Sequence, residues 1–154
     1  MSKPESHRSP GGEACEDQFF EQSLAFNLRR GFNKVIDEID AALGPFALSS
    51  HQFGVLSTIY FGRASTPSEV ARLRFQNGAA ITYTLDRLEQ RGLLKRTRSE
   101  ADKRVITLVL TEDGRELTRK CMDAVVDVQE RMLTGVSAED RDRLFELLQS
   151  ICEN

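Results

Sequence analysis

Ten basic side chains fall between Arg63 and Arg104: Arg63, Arg72, Arg74, Arg87, Arg91, Lys95, Arg96, Arg98, Lys103 and Arg104. Five acids share the stretch (Glu69, Asp86, Glu89, Glu100 and Asp102), which leaves it at +5. The whole chain carries −3, so the remaining residues carry −8. Such a cluster can hold phosphate, because guanidinium and ammonium groups donate several charge-assisted hydrogen bonds to its oxygens. Where charge is placed matters more than its total. The other reactive residue types offer less. Cys15, Cys121 and Cys152 are odd in number and far apart, and His7 and His51 have no partners at ligand spacing, so no zinc site is expected. With no glycine-rich phosphate loop and no nucleophile motif, neither an enzyme nor a cofactor is expected.

The elements that must position these cations are readable from capping and periodicity. Apolar residues from Phe20 to Leu43 recur at three- and four-residue steps, predicting a first helix from Phe19 to Leu43, stopped by Gly44-Pro45. Ser49 with Gln52 forms a capping box for a second helix to about Tyr60, with Phe53, Leu56, Ile59 and Tyr60 as its apolar face. Thr66, Pro67 and Glu69 supply the start signals of a third helix, in which Val70 and Leu73 face inward. After a turn at Phe75-Gln76, Asn77 caps a fourth helix that runs to Arg91 and ends on Gly92. Its buried stripe is Ile81, Leu85 and Leu88. Leu93–Thr97 and Val105–Leu110 are predicted strands, joined by the polar tip RSEADKR. Thr111 caps a fifth helix from Glu112 to about Leu133. Ser137 caps a last one, striped by Leu144, Leu147, Leu148 and Ile151. Helix, helix, strand, turn, strand is the order of a winged helix-turn-helix, which offers one helix to a major groove and a cationic loop to the neighbouring groove.

Three pieces, TPSEVARL, NGAAITYTLDRLEQRGLLKR and DKRVITLVLTEDG, give the chain a close resemblance to the MarR (multiple antibiotic resistance regulator) family of bacterial transcription factors. The resemblance covers about Phe19 to Ile151. It implies a mainly α fold with a small β-hairpin, a winged helix-turn-helix flanked by N- and C-terminal dimerisation helices. The implied division is a disordered tail over 1–18, a dimerisation helix over 19–47, a DNA-binding lobe over 48–111 and dimerisation helices over 112–154. Asn77 to Arg87 would be the recognition helix. There Gly78 and Ala79 allow close approach to the duplex, Thr82 and Tyr83 project toward base edges or phosphates, and Arg87 clamps a phosphate. Many relatives have arginine where Tyr83 stands; a tyrosine can stack on sugar or donate one hydrogen bond. Arg104 looks like the family's minor-groove arginine, Asp102 shapes the wing by pairing with an arginine, and Arg98 and Lys103 add phosphate contacts. Thr66 and Ser68 complete the expected DNA-binding set.

The implied partners are a second copy of the chain, a palindromic double-stranded operator and a small effector. In the family, small aromatic acids or phenols often occupy a cleft between the dimerisation helices and the DNA-binding lobe, while some relatives sense oxidants through cysteine. Cys121 lies on the apolar face of the fifth helix and is expected to be inert. Nothing around Cys15 supplies the positive charge that would activate a thiol. Small-molecule control is therefore the expectation, with redox control or a protein-binding winged helix as alternatives. At 154 residues one domain suffices. The N-terminal MSKPESHRSPGGEACEDQ lacks a signal-peptide core and no run could span a bilayer, so a cytoplasmic, membrane-free protein is expected.

Overall fold

The computed structural model describes residues 20–98 and 103–153. The chain divides into two compact units, residues 1–37 and 38–154. Helix α1 spans Leu24–Leu43. Residues 20–22 are helical too, and the expected single helix is broken at Ser23, whose Oγ accepts from the N–H of Phe26 at 3.3 Å. In the first unit Phe20, Leu24, Phe26, Leu28 and Phe32 all remain exposed.

The second unit holds the core. A short 3₁₀ turn (Gly44–Phe46) follows α1, and α2 spans Ser50–Tyr60. The Ser49–Gln52 capping box forms as its sequence predicts. Asp40 adds a second tether, accepting the Ser50 N–H at 2.6 Å. Helix α2 is buried on more than one face: Gly54, Val55, Leu56 and Thr58 all lie inside. Helix α3 spans Pro67–Leu73 and α4 spans Gly78–Gln90. Strands β1 (Leu94–Arg98) and β2 (Ile106–Leu110) pair antiparallel, with Leu94 opposite Leu110 and Arg98 opposite Ile106. The hairpin is tied to the segment before α3 by the Leu108 N–H, which donates to Ser65 C=O at 2.7 Å. Helix α5 spans Glu112–Met132 and α6 spans Ala138–Glu153.

The core gathers Leu43, Leu48, Val55, Leu56, Val70, Ile81, Leu85, Leu88, Leu94, Leu108, Leu110 and Cys121 around α2. Each buried aliphatic side chain contributes about 2 kcal/mol. The predicted stripe of α4 is buried in full. Leu73 departs from its expected inward position and is 44% exposed. The inward place goes to Arg74, whose guanidinium lies against Gly54; a side chain at Gly54 would collide with it. Leu93 is not in the strand. It completes the cap of α4, its N–H donating to Leu88 C=O, while its own carbonyl accepts from Thr111 N–H. The second strand likewise starts one residue later than Val105.

Helix α6 has no buried residue. Leu144, Phe145, Leu147 and Ile151 each expose two fifths or more of their surface. Arg141 holds the turn before it, donating to Leu133 C=O and pairing with Glu130, both at 2.8 Å.

Candidate nucleic-acid interface

The two helices of the helix-turn-helix begin with side-chain caps. Thr66 Oγ1 accepts from Glu69 N–H at 3.3 Å and lies 3.2 Å from Ser68 Oγ. Glu69 reaches back, accepting from Ser65 N–H at 2.8 Å and Thr66 N–H at 3.0 Å. Those backbone donors, Ser65 first and then Thr66, hold its carboxyl below the usual pKa. Asn77 Oδ1 accepts from Ala80 N–H at 2.8 Å. Gly78, Ala79 and Ala80, at the open end of α4, are all exposed. A helix start of small residues with outward N–H groups is suited to anionic oxygen.

Along α4, Thr82 is exposed but back-bonds through its hydroxyl to Gly78 C=O at 2.8 Å, which leaves its methyl and oxygen lone pairs outward. Tyr83 is 62% exposed. Arg87 donates to the Tyr83 hydroxyl from Nε at 3.2 Å and from Nη2 at 3.1 Å. A phenol oxygen that accepts two such bonds has its own hydrogen left to donate outward. Tyr83 and Arg87 thus form one donor-rich unit on the exposed side of α4. Arg98 ends β1, and Lys103 and Arg104 stand just before β2, all three exposed. Asp102 lies outside the described residues.

Three of the ten clustered cations are engaged by other parts of the chain. Besides Arg74, Arg91 donates from Nη1 to Ala47 C=O at 2.6 Å and from Nη2 to Phe46 C=O at 3.3 Å, pinning the end of α4 to the loop after α1. Arg96 does most. From β1 its Nη1 pairs with Asp86 at 2.7 Å and Glu89 at 2.6 Å, both on α4. Its backbone N–H donates to Glu89 Oε1 at 3.0 Å. Partial desolvation opposes the Arg96 charge, but the two carboxylates outweigh it and raise its pKa. By sequence alone Arg96 is one positive charge among ten. A signal was present: Asp86 and Glu89, three apart, share a face of α4, close along the chain to a strand that begins after a glycine turn.

The base of the wing is fastened to the same helix end. Thr111 Oγ1 donates to Gly92 C=O at 2.6 Å and accepts from Gly114 N–H at 3.0 Å. A Cβ on Gly114 would collide with the Leu93 carbonyl. Helix α5 therefore abuts the end of α4 directly. Cys121, on α5, is fully buried, and burial pushes its thiol up to about 11. Cys152 is exposed, and Cys15 lies outside the described residues. Among the described residues no cluster of three metal-ligating side chains occurs. No helix among them is long and apolar enough to cross a membrane.

Comparison with known proteins agrees with this architecture. Residues 48–105 match the sequence profile of the MarR family. The regulator PecS of Dickeya dadantii is 30% identical over 113 residues, covering 71% of this chain and 68% of PecS. A MarR mutant from Escherichia coli, solved with operator DNA, superposes with a TM-score of 0.79 at 26% identity, covering 86% of this chain and 96% of that one. CouR from Rhodococcus jostii, bound to p-coumaroyl-CoA, gives a TM-score of 0.75 at 26% identity, covering 86% and 93%. The mainly helical fold with one antiparallel hairpin is thus shared with winged-helix MarR proteins, and the chain belongs to the MarR family of transcriptional regulators.

Proposed function

We propose that this chain is a sequence-specific DNA-binding regulator acting as a homodimer, a repressor released by a small aromatic or phenolic effector. The observation that carries the reading is the exposed face of α4: small residues at its capped start, then the Tyr83–Arg87 donor pair, with both helix acids drawn aside by Arg96. That face presents donors and little negative charge, the complement of phosphates and of guanine acceptor edges. Gly78, Ala79, Thr82, Tyr83 and Arg87 are assigned to the major groove, and Thr66, Ser68 and Asn77 to the helix ends beside the backbone. Arg104 is assigned to the minor groove, where a weakly hydrated guanidinium is favoured, with Arg98 and Lys103 on phosphates and Asp102 shaping the wing. The operator-bound MarR supports this placement by likeness of fold.

Homodimerisation through residues 19–47 and 112–154 accounts for α6. An isolated helix of 16 residues with no buried side chain is marginal in water, and its apolar stripe needs a partner. Two subunits would set two recognition helices about one DNA turn apart and so read a palindrome. The effector class is supported by likeness to CouR, which was solved bound to p-coumaroyl-CoA. The buried Cys121 thiol weighs against redox control through that residue.

The test is fluorescence anisotropy on the DNA upstream of the chain's own gene, with excess competitor, at two salt concentrations. Binding that resists competitor and weakens by orders of magnitude between about 50 and 200 mM salt is expected from phosphate contacts. Binding no tighter than to competitor would count against a specific operator there.

A further inference from the structure

Among the described residues, α2, α3, α4 and the 3₁₀ turn after α1 all end in the same hydrogen-bonded motif. After α2, Gly62 N–H donates to Ile59 C=O and Arg63 N–H to Thr58 C=O, both at 3.0 Å. After α4, Gly92 N–H donates to Glu89 C=O at 2.9 Å and Leu93 N–H to Leu88 C=O at 3.0 Å. After α3, Phe75 N–H donates to Arg72 C=O at 3.3 Å and Gln76 N–H to Ala71 C=O at 3.0 Å. In each the first of the two donors is left-handed, with φ of 65° at Gly62, 69° at Gly92 and 52° at Phe75. Glycine is the usual residue there because a side chain is strained in that region. The chain uses glycine at two of these ends, alanine at one (Ala47, φ 52°, its N–H on Gly44 C=O at 2.9 Å) and the large phenylalanine at one.

The phenyl ring gives the protomer nothing in return. Phe75 is 98% exposed, the most exposed large apolar residue among the described residues. It serves neither the turn, which glycine would make with less strain, nor the core. A strained residue with an unburied aromatic side chain points to a use outside the protomer.

Its place in the fold says where. In a docked helix-turn-helix the first helix crosses the DNA backbone and the second enters the major groove by its N-terminal residues. Phe75 lies in the turn between them, two residues before the Asn77 cap and three after the exposed Arg72. We propose that Phe75 is a DNA-contact residue whose ring seats on apolar duplex surface at the groove edge, a thymine methyl or a deoxyribose face. Phenyl contact with the thymine methyl is a known means of base discrimination. The proposal rests on the DNA-binding reading above.

The experiment uses a labelled duplex selected by the wild-type chain from a random-sequence pool. Failure to select any duplex would overturn the DNA-binding reading itself, before Phe75 is examined. With the duplex in hand, Phe75→Gly and Phe75→Asn, both tolerant of the left-handed turn, are titrated against it, and their thermal unfolding is followed without DNA. An unchanged or raised midpoint for Phe75→Gly is expected, together with affinity lower by about tenfold in both variants. Wild-type affinity in both would overturn the proposal. So would a lowered midpoint for Phe75→Gly, since the ring would then be packing within the protein. Replacing each thymine by deoxyuridine separates the two sources. A loss seen at one position with wild type but absent in Phe75→Gly assigns the methyl, and insensitivity at every position assigns the sugar.

Discussion

Replacing Arg96 by methionine keeps the aliphatic stem and removes the charge that holds Asp86 and Glu89. The Arg96 side chain is 25% exposed, against 49% for Asp86 and 38% for Glu89. Solvent screens pairs this open, so each is worth roughly 0.5 kcal/mol and Arg96→Met should lower stability by about 1 kcal/mol. The effect on DNA should be at least as large. A released carboxylate about 10 Å from a phosphate meets a repulsion of roughly 0.4 kcal/mol in water. About a third of that survives at one Debye length. Summed over the several phosphates of a half-site and over two subunits, the loss is about 1–2 kcal/mol, roughly 5- to 30-fold in Kd. Anisotropy at low and moderate salt measures it, and the difference from wild type should shrink as salt rises. The triple variant Arg96→Met, Asp86→Asn, Glu89→Gln has a net charge one unit more positive per subunit than wild type and should recover most of the affinity. Wild-type affinity for the single variant at low salt, or a triple variant no tighter than the single, would refute the idea that Arg96 keeps this face of α4 free of negative charge.

Other outcomes follow from the same contacts. Gly114→Ala drives a methyl into the Leu93 carbonyl and should lower stability by about 3 kcal/mol in urea unfolding, since both sides of the clash are backbone. Thr66→Ala removes the cap of α3 and should lower stability by about 1 kcal/mol by the same measurement. Arg104→Ala should weaken operator binding by about 1–3 kcal/mol while sedimentation still shows a dimer; unchanged affinity would remove the wing from the interface. The Cys121 thiol, raised from 9.0 to about 11, should resist alkylating reagents at neutral pH until the protein unfolds. Because its folded pKa is the higher, its contribution to stability is complete below pH 9.0 and is lost as pH rises toward about 11, which unfolding of wild type and Cys121→Ala across that range would resolve.

Which parts of this molecule its sequence determined follows from the range of the forces involved. The caps at Ser49, Thr66, Asn77 and Thr111 join groups three residues apart, and the left-handed stop at Gly92 is a property of one residue, so local pattern was enough to place α2 to α5 and the buried stripe of α4. The family motifs carried the winged-helix architecture with them. The fate of individual cations was set elsewhere. Arg74 against Gly54 bridges 20 positions, Arg91 reaches 44 to the Ala47 carbonyl, and Arg96 finds Asp86 and Glu89 only once β1 lies beside α4. A charge count registers all ten alike, because sequence records a side chain's charge and not the partner that neutralises it. Leu73 faced outward for the same reason: periodicity defines a face, but the neighbouring helix decides which residue at its edge is taken in.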